Sequence, residues 1–185
     1  MHSLHLYFPG DRLSEAELFA ACLDGHLAPV GEAFLPADAV ETAALRAASL
    51  APLLGGQLAA TGLSAAWIHG ALAFPPGRHS AQRVSAQRRG HILDRRIEYH
   101  DRRLDADQVM VLGGVHVTTP TRTLADLVRV ADAAHREAAE MMVRTGIADA
   151  HTAVQWLHSA GPLPNKRAGL TLLRALAADQ PEVTR

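Results

Sequence analysis

An α+β fold is what this sequence predicts, and three observations carry the prediction. Helical and strand-like patterns occur in blocks: helices and a short hairpin first, then a run of strand-like segments between Ser80 and Val117, then helices to the end. No regular strand–helix–strand alternation is present, which separates α+β from α/β. The composition, 48% hydrophobic and 20% charged over 185 residues, is that of an ordinary globular chain able to bury a sizeable core. The expected arrangement is a partial winged-helix-like N-terminal segment over residues 1–37. An α+β domain follows over 38–185, built on a central mixed or antiparallel sheet and ending in helices.

The first helix is announced by Ser14-Glu15-Ala16-Glu17, a capping box in which Ser14 and Glu17 satisfy each other's free backbone amides. Leu18, Phe19, Cys22 and Leu23 supply its apolar face, with Cys22 expected buried there, and Gly25 stops it. Residues His26–Val30 and Ala33–Pro36, around Gly31-Glu32, read as two short strands and a tight turn. Asp38 is expected to cap a second helix running to about Leu54, ended by Gly55-Gly56. Ser64 is expected to open a short helix through Leu72.

Strand-like segments then follow at Arg83–Ala86, Ile97–His100, Val109–Leu112 and Val115–Val117, punctuated by Gly90 and Gly113-Gly114, implying a sheet of three to five strands. Thr119 is expected to cap the next helix with Pro120 as its first residue. Helices are expected over Pro120–Val130, Asp132–Arg144, Asp149–Ser159 and Lys166–Ala178.

Composition narrows the function classes. One cysteine, Cys22, can form neither an internal disulfide nor a cysteine-based metal site, which fits a reducing compartment, with cytoplasm the expectation. The N-terminus lacks the basic and continuous apolar regions of a signal peptide, and the most apolar stretch, Thr42–Leu54, is too short to span a bilayer and is broken by Arg46, so no membrane association is expected. Neither a GxxxxGK[ST] nor a GxGxxG loop occurs. The eleven histidines form no HExxH, and His151 and His158, seven apart, read as helix-surface residues. Gly62-Leu63-Ser64 is no nucleophile elbow. Trp67 reads as a core side chain and His69 as a helix-end residue. No catalytic residue, cofactor or metal site is expected.

Charge is unevenly distributed. Residues 1–77 carry seven acids and two bases, 78–103 carry three acids and eight bases, and 104–185 carry nine acids and eight bases. The central excess of +5 comes from Arg78, Arg83, Arg88, Arg89, Arg95, Arg96, Arg102 and Arg103. A sheet face collecting these forks would suit phosphate oxygens or an acidic protein. The alternative is a charged sheet edge that resists aggregation, or arginines neutralised by Asp94, Glu98, Asp101 and the acidic N-terminal part. Arg122, in the threonine-rich helix start at 118–123, could join a phosphate site. The favoured reading pairs it with Asp126 one turn on. The candidate nucleic-acid or partner-binding set is Arg83, Arg88, Arg89, Arg95, Arg96, Arg102, Arg103 and Arg122.

Two motifs and the strand region between them carry a family likeness. The run Leu63–Ala71, the arginine-rich strand region, and Gly113-Gly114-Val115-His116-Val117-Thr118-Thr119-Pro120-Thr121-Arg122-Thr123-Leu124-Ala125-Asp126-Leu127 resemble actinobacterial relatives of the AbiEi antitoxins of type IV toxin–antitoxin systems. The resemblance implies a non-enzymatic regulator in which an N-terminal winged helix binds promoter DNA and the following domain counteracts a nucleotidyltransferase-like toxin. Against that pattern, Ser14–Pro36 holds one clear helix and a hairpin in a region of charge −5, which phosphate repels. The same motifs also resemble those preceding a very-short-patch-repair-like nuclease domain. The alternative is a degenerate relative of that nuclease, or another nucleic-acid-processing protein, lacking the nuclease domain; it would need convergent carboxylates, for instance from Asp94, Asp101, Asp105 and Asp107, holding magnesium.

Overall fold

The capping box forms as its spacing requires: Ser14 N donates to Glu17 Oε2 at 2.7 Å and Glu17 N to Ser14 Oγ at 3.3 Å, opening α1 (Glu15–Leu23). The computed structural model describes residues 6–86 and 94–178; Gly90, expected as strand punctuation, lies outside them. The apolar face of α1 differs from expectation. Leu18 alone is fully buried, Leu23 is 90% exposed, and Cys22 is half-buried rather than a core residue. A nine-residue helix with little to pack against buries one ridge and leaves the rest in solvent. Strands β1 (Leu27–Val30) and β2 (Ala33–Pro36) form the expected antiparallel hairpin, and Tyr7 adds a bridge to Phe34 on its outer side.

The second helix begins later than expected and is broken. Thr42, not Asp38, is its cap: Thr42 Oγ1 accepts from Leu45 N at 3.2 Å, starting α2 (Ala43–Ser49). A separate turn, α3 (Ala51–Leu54), follows, because Pro52 cannot donate into the preceding helix but is accommodated at a helix start. Next comes β3 (Leu58–Ala60), a completely buried strand absent from the expectations above. Then α4 (Gly62–Ile68) starts from Thr61, one turn before Ser64. Ser64 is occupied elsewhere: its Oγ accepts from Ser80 N at 3.0 Å and shares a hydrogen bond with His79 Nδ1 at 3.2 Å.

Strands β4 (His79–Arg83), β5 (Ile97–Arg103), β6 (Val109–Leu112) and β7 (Val115–Thr118) complete a five-stranded mixed sheet in the order β5-β4-β3-β7-β6. The expected Arg83–Ala86 strand is thus shifted towards the N-terminus, with only Arg83 in common. Central β3 pairs antiparallel with β4 and parallel with β7, while β4 and β5 run parallel. The class is therefore α+β. The β6–β7 turn places Gly113 at φ 53°, where a Cβ would lie 2.1 Å from Ala44 O, so this position admits only glycine on both counts.

Four helices finish the described chain: α5 (Pro120–Leu127), α6 (Ala133–Arg144), α7 (Ala150–Ser159) and α8 (Lys166–Ala178), close to the expected bounds. Thr119 Oγ1 accepts from Arg122 N at 3.3 Å with Pro120 opening α5, as the Thr-Pro signal implies. One hydrophobic cluster joins the hairpin, α2, α3 and α4 to the sheet; a second joins α4 to α5–α8. α4 serves both, sending Ala65, Trp67 and Ile68 into the first and Ala66 into the second. Trp67, 1% exposed, is the core residue it was expected to be. His151 and His158 lie on the surface of α7. Gly169 on α8 lets that helix approach α7 and the residues just after α5, since a Cβ there would stand 2.9 Å from Arg129 Cγ and 3.3 Å from Leu157 Cδ2.

Candidate binding site

The geometry that matters begins with Arg122 on the first turn of α5. Its position on the inward face follows from the helix start at Pro120, and only 5% of its side chain is exposed. A buried guanidinium is tolerated when its donors are satisfied. Nε donates to Asp126 Oδ2 at 2.9 Å, one Nη donates to Gln108 Oε1, and the group sits over the ring of Trp156 with Cζ 5.2 Å from the centroid. Asp126 is shared: its second oxygen accepts from Arg129, whose Nε also donates to Ala125 O at 3.0 Å. The pairing of Arg122 with Asp126 is the favoured reading of the sequence. The neighbouring hydroxyls are likewise turned inward, Thr118 Oγ1 meeting Thr123 Oγ1 at 2.7 Å.

Arg122 and Trp156 form the floor of a pocket of about 330 Å³ whose rim carries Arg102, Arg103, Asp105 and Gln108, closed on the far side by residues 159–163 at the end of α7. Arg102 donates to Pro162 O at 3.4 Å, spanning the rim. Neighbours on a regular strand face opposite ways, yet Arg102 and Arg103 line the same pocket. The cause is a register shift: Gln82 pairs with His100 and Arg83 with Arg103, so β5 carries two extra residues against β4 at that point.

The remaining arginines of the central segment have different fates. Arg83 Nε donates to Asp101 at 2.9 Å and one Nη to the carbonyls of Ser85 and Ala86, which makes it a brace between β4, β5 and the following turn. Arg96 is held by Asp94, through Nε at 3.0 Å and Nη2 at 2.7 Å, and also by Glu32 of the hairpin. The Arg96 hydrogen bonds keep the Asp94 carboxyl down at about 2. Arg78 bonds the carbonyls of Arg95 and Ile97. Arg95, Arg102 and Arg103 are exposed and make no ion pair among the described residues. Arg88 and Arg89 lie outside those residues. Of the candidate set, the structure thus gathers Arg102, Arg103 and Arg122, and commits Arg83 and Arg96 to the fold. Trp156 and Gln108 were missed, and Asp105 was expected only as a candidate metal carboxylate; helix-to-sheet packing brings all three to the pocket.

The carboxylates that a magnesium site would need do not converge. Asp94 is with Arg96, Asp101 accepts from Arg83 and from Tyr99 Oη, and Asp105 accepts from Gln108. Among the described residues, no three His, Cys, Asp or Glu side chains come together as a metal site. Nor is any described helix long and apolar enough to cross a membrane.

The elements from β3 to the end of α7 make up a mixed-sheet domain with helices packed on it and an arginine-lined pocket between β5, α5 and α7. This stretch coincides with residues 58–162, which match the family model of the AbiEi antitoxin C-terminal domain. The match covers more than half of the chain, and the chain belongs to that family. No curated protein matches it. Membership supports an antitoxin or regulatory role and places the protein within toxin–antitoxin systems.

Proposed function

We propose that this chain acts as an antitoxin by binding, without catalysis of its own, and that it engages an acidic face of a nucleotidyltransferase-like toxin through the outward arginines of β5. The observation that carries this reading is the division of labour among the arginines. Arg83 and Arg96 are spent on intramolecular ion pairs, whereas Arg102 and Arg103 stand exposed, side by side, at the end of an edge strand. Exposed cations that make no ion pair among the described residues steer association and select a partner of opposite charge.

DNA is the weaker candidate partner. α1 opens with Glu15 and Glu17, and the N-terminal segment has the acidic charge that phosphate repels.

The test is co-purification and calorimetry with the product of the neighbouring gene. Wild-type chain is expected to bind and to relieve its toxicity. Arg102→Gln with Arg103→Gln should weaken binding about tenfold or more, in a salt-dependent way, while Arg174→Gln on α8 leaves it unchanged. Equal binding by the double variant would remove the arginines from the interface. A salt-sensitive gel shift on the upstream DNA, abolished by the same double variant, would transfer the role to nucleic acid.

A further inference from the structure

We infer that the pocket between β5, α5 and α7 is a site for a small organic phosphate, whose phosphoryl group meets Arg102, Arg103 and the free end of Arg122. The inference concerns the chain alone and does not rest on the identity of any partner protein.

Arg122 is held ready for an anion. Its guanidinium lines the pocket, and its side chain is 5% exposed. Nε is bound to Asp126, Nη1 to Gln108, and the plane's neighbour is the Trp156 ring. Among the described residues Nη2 has no hydrogen-bond partner. A fork fixed on three sides has already lost the rotamer freedom that an ordinary surface arginine gives up on binding, so its remaining donor is preorganised for an oxyanion.

The charge of the lining favours a dianion. The lining holds three arginines and one carboxylate, Asp105. Asp126, just beneath, cannot make up the difference because it is divided between Arg122 and Arg129. The pocket therefore has an excess of two positive charges, which a phosphate monoester of charge about −1.5 to −2 balances and a carboxylate balances only in part.

The shape of the pocket agrees. A volume of about 330 Å³ exceeds what inorganic phosphate needs, and Trp156, Pro162 and Leu163 provide an apolar wall for a ring or short carbon skeleton. It also lies at the lower end of the range for small-molecule pockets, roughly 300–1,000 Å³. Because Arg122 lies below the rim, a terminal phosphoryl group can enter to reach it, whereas a phosphodiester backbone passing over the surface would meet Arg102 and Arg103 alone.

The experiment is an NMR titration of the full chain at constant ionic strength with phenyl phosphate, benzoate, inorganic phosphate and an oligonucleotide lacking a terminal phosphate. Phenyl phosphate is expected to shift the Trp156 indole N–H and the Arg122 Nε–H signals saturably. It should bind about tenfold or more tightly than benzoate or inorganic phosphate. Arg102→Gln with Arg103→Gln should weaken it about tenfold with the spectrum otherwise intact, and Arg95→Gln should have no effect. Arg122→Lys, which keeps the charge but loses the fork, should also weaken it.

Three results would overturn the inference. One is no saturable shift up to about 10 mM phenyl phosphate, the limit of useful affinity. The second is equal binding of benzoate. The third is displacement of phenyl phosphate by the oligonucleotide at equal or higher affinity, which would make the site a backbone-phosphate surface.

Discussion

The guanidinium of Arg122 stands 5.2 Å above the ring of Trp156, so one cation–π contact joins the helix that follows the sheet to the helix that closes the pocket. Both residues are more than fillers. Arg122 is simultaneously the partner of Asp126 and part of the pocket lining, which ties the stability of α5 to the shape of the pocket.

Asp126→Asn tests that link. The carboxylate lies between Arg122 and Arg129, both largely buried. Its neutralisation leaves two desolvated cations facing each other, and the expected loss is about 3 kcal/mol in urea denaturation, typical of breaking one side of a buried pair. A loss below about 0.5 kcal/mol, the size of an ordinary surface change, would show that solvent reaches these groups.

The two glycines of the β6–β7 turn should separate strain from collision. Gly113→Ala combines a positive φ with a Cβ 2.1 Å from Ala44 O, while Gly114, at φ 82°, has nothing within 4 Å. Gly114→Ala is expected to cost about 1 kcal/mol and Gly113→Ala about 3 kcal/mol or more, because backbone of α2 must move. Chemical denaturation of the two variants gives the order directly, and a reversed order would contradict the described packing of the turn on α2.

Arg83 and Arg103 face each other across the β4–β5 register and should behave oppositely. Arg83→Ala removes bonds to Asp101, Ser85 and Ala86 and should destabilise by about 1–2 kcal/mol. Arg103→Ala should change stability by less than about 0.5 kcal/mol while weakening association with the proposed toxin partner. Thermal melts paired with binding isotherms would show whether folding and recognition are divided between them in this way.

Acid sensitivity should set in near neutrality. Burial lowers the pKa of His69, partly offset by its bond to Thr118 O, and burial lowers that of His79 with help from the Arg96 charge. Because both folded-state values lie below the unfolded value of about 6.5, the unfolded chain takes up protons first. The stability these groups contribute is complete above that pH and is lost progressively as pH falls through their folded values. Denaturation midpoints at pH 7.5 and 5.5 should therefore differ for the wild type and converge in the His69→Gln, His79→Gln double variant. Unchanged pH dependence in that variant would assign the acid limb to other groups.

What could be read in the sequence was local. The Ser14–Glu17 box, Thr119-Pro120 and the Gly113-Gly114 turn each specify their backbone within four residues, and each formed where expected. β3 was missed because Leu58-Ala59-Ala60 is too short to display a period of two. Asp38 and Thr42 are both good caps, and only the packing of α2 selects the later one. The arginine segment was visible as charge, and so were the Asp94 and Asp101 partners of Arg96 and Arg83, but bringing Arg102 and Arg103 to one pocket depends on the β4–β5 register shift, which sequence does not encode locally. Trp156 carried no signal at all, since its meeting with Arg122 depends on how α7 packs on α5.

The parallel pairing of β3 with β7, Ala59 with His116 and Ala60 with Val117, has a consequence for the order of events during synthesis. The middle strand of the sheet pairs with β4, made soon after it, but its parallel partner β7 is made much later, so closing the sheet needs a long-range contact. The pocket is completed later still, since its far wall ends at residue 163. A nascent or truncated chain therefore has the arginines of β5 well before it has anything for them to surround.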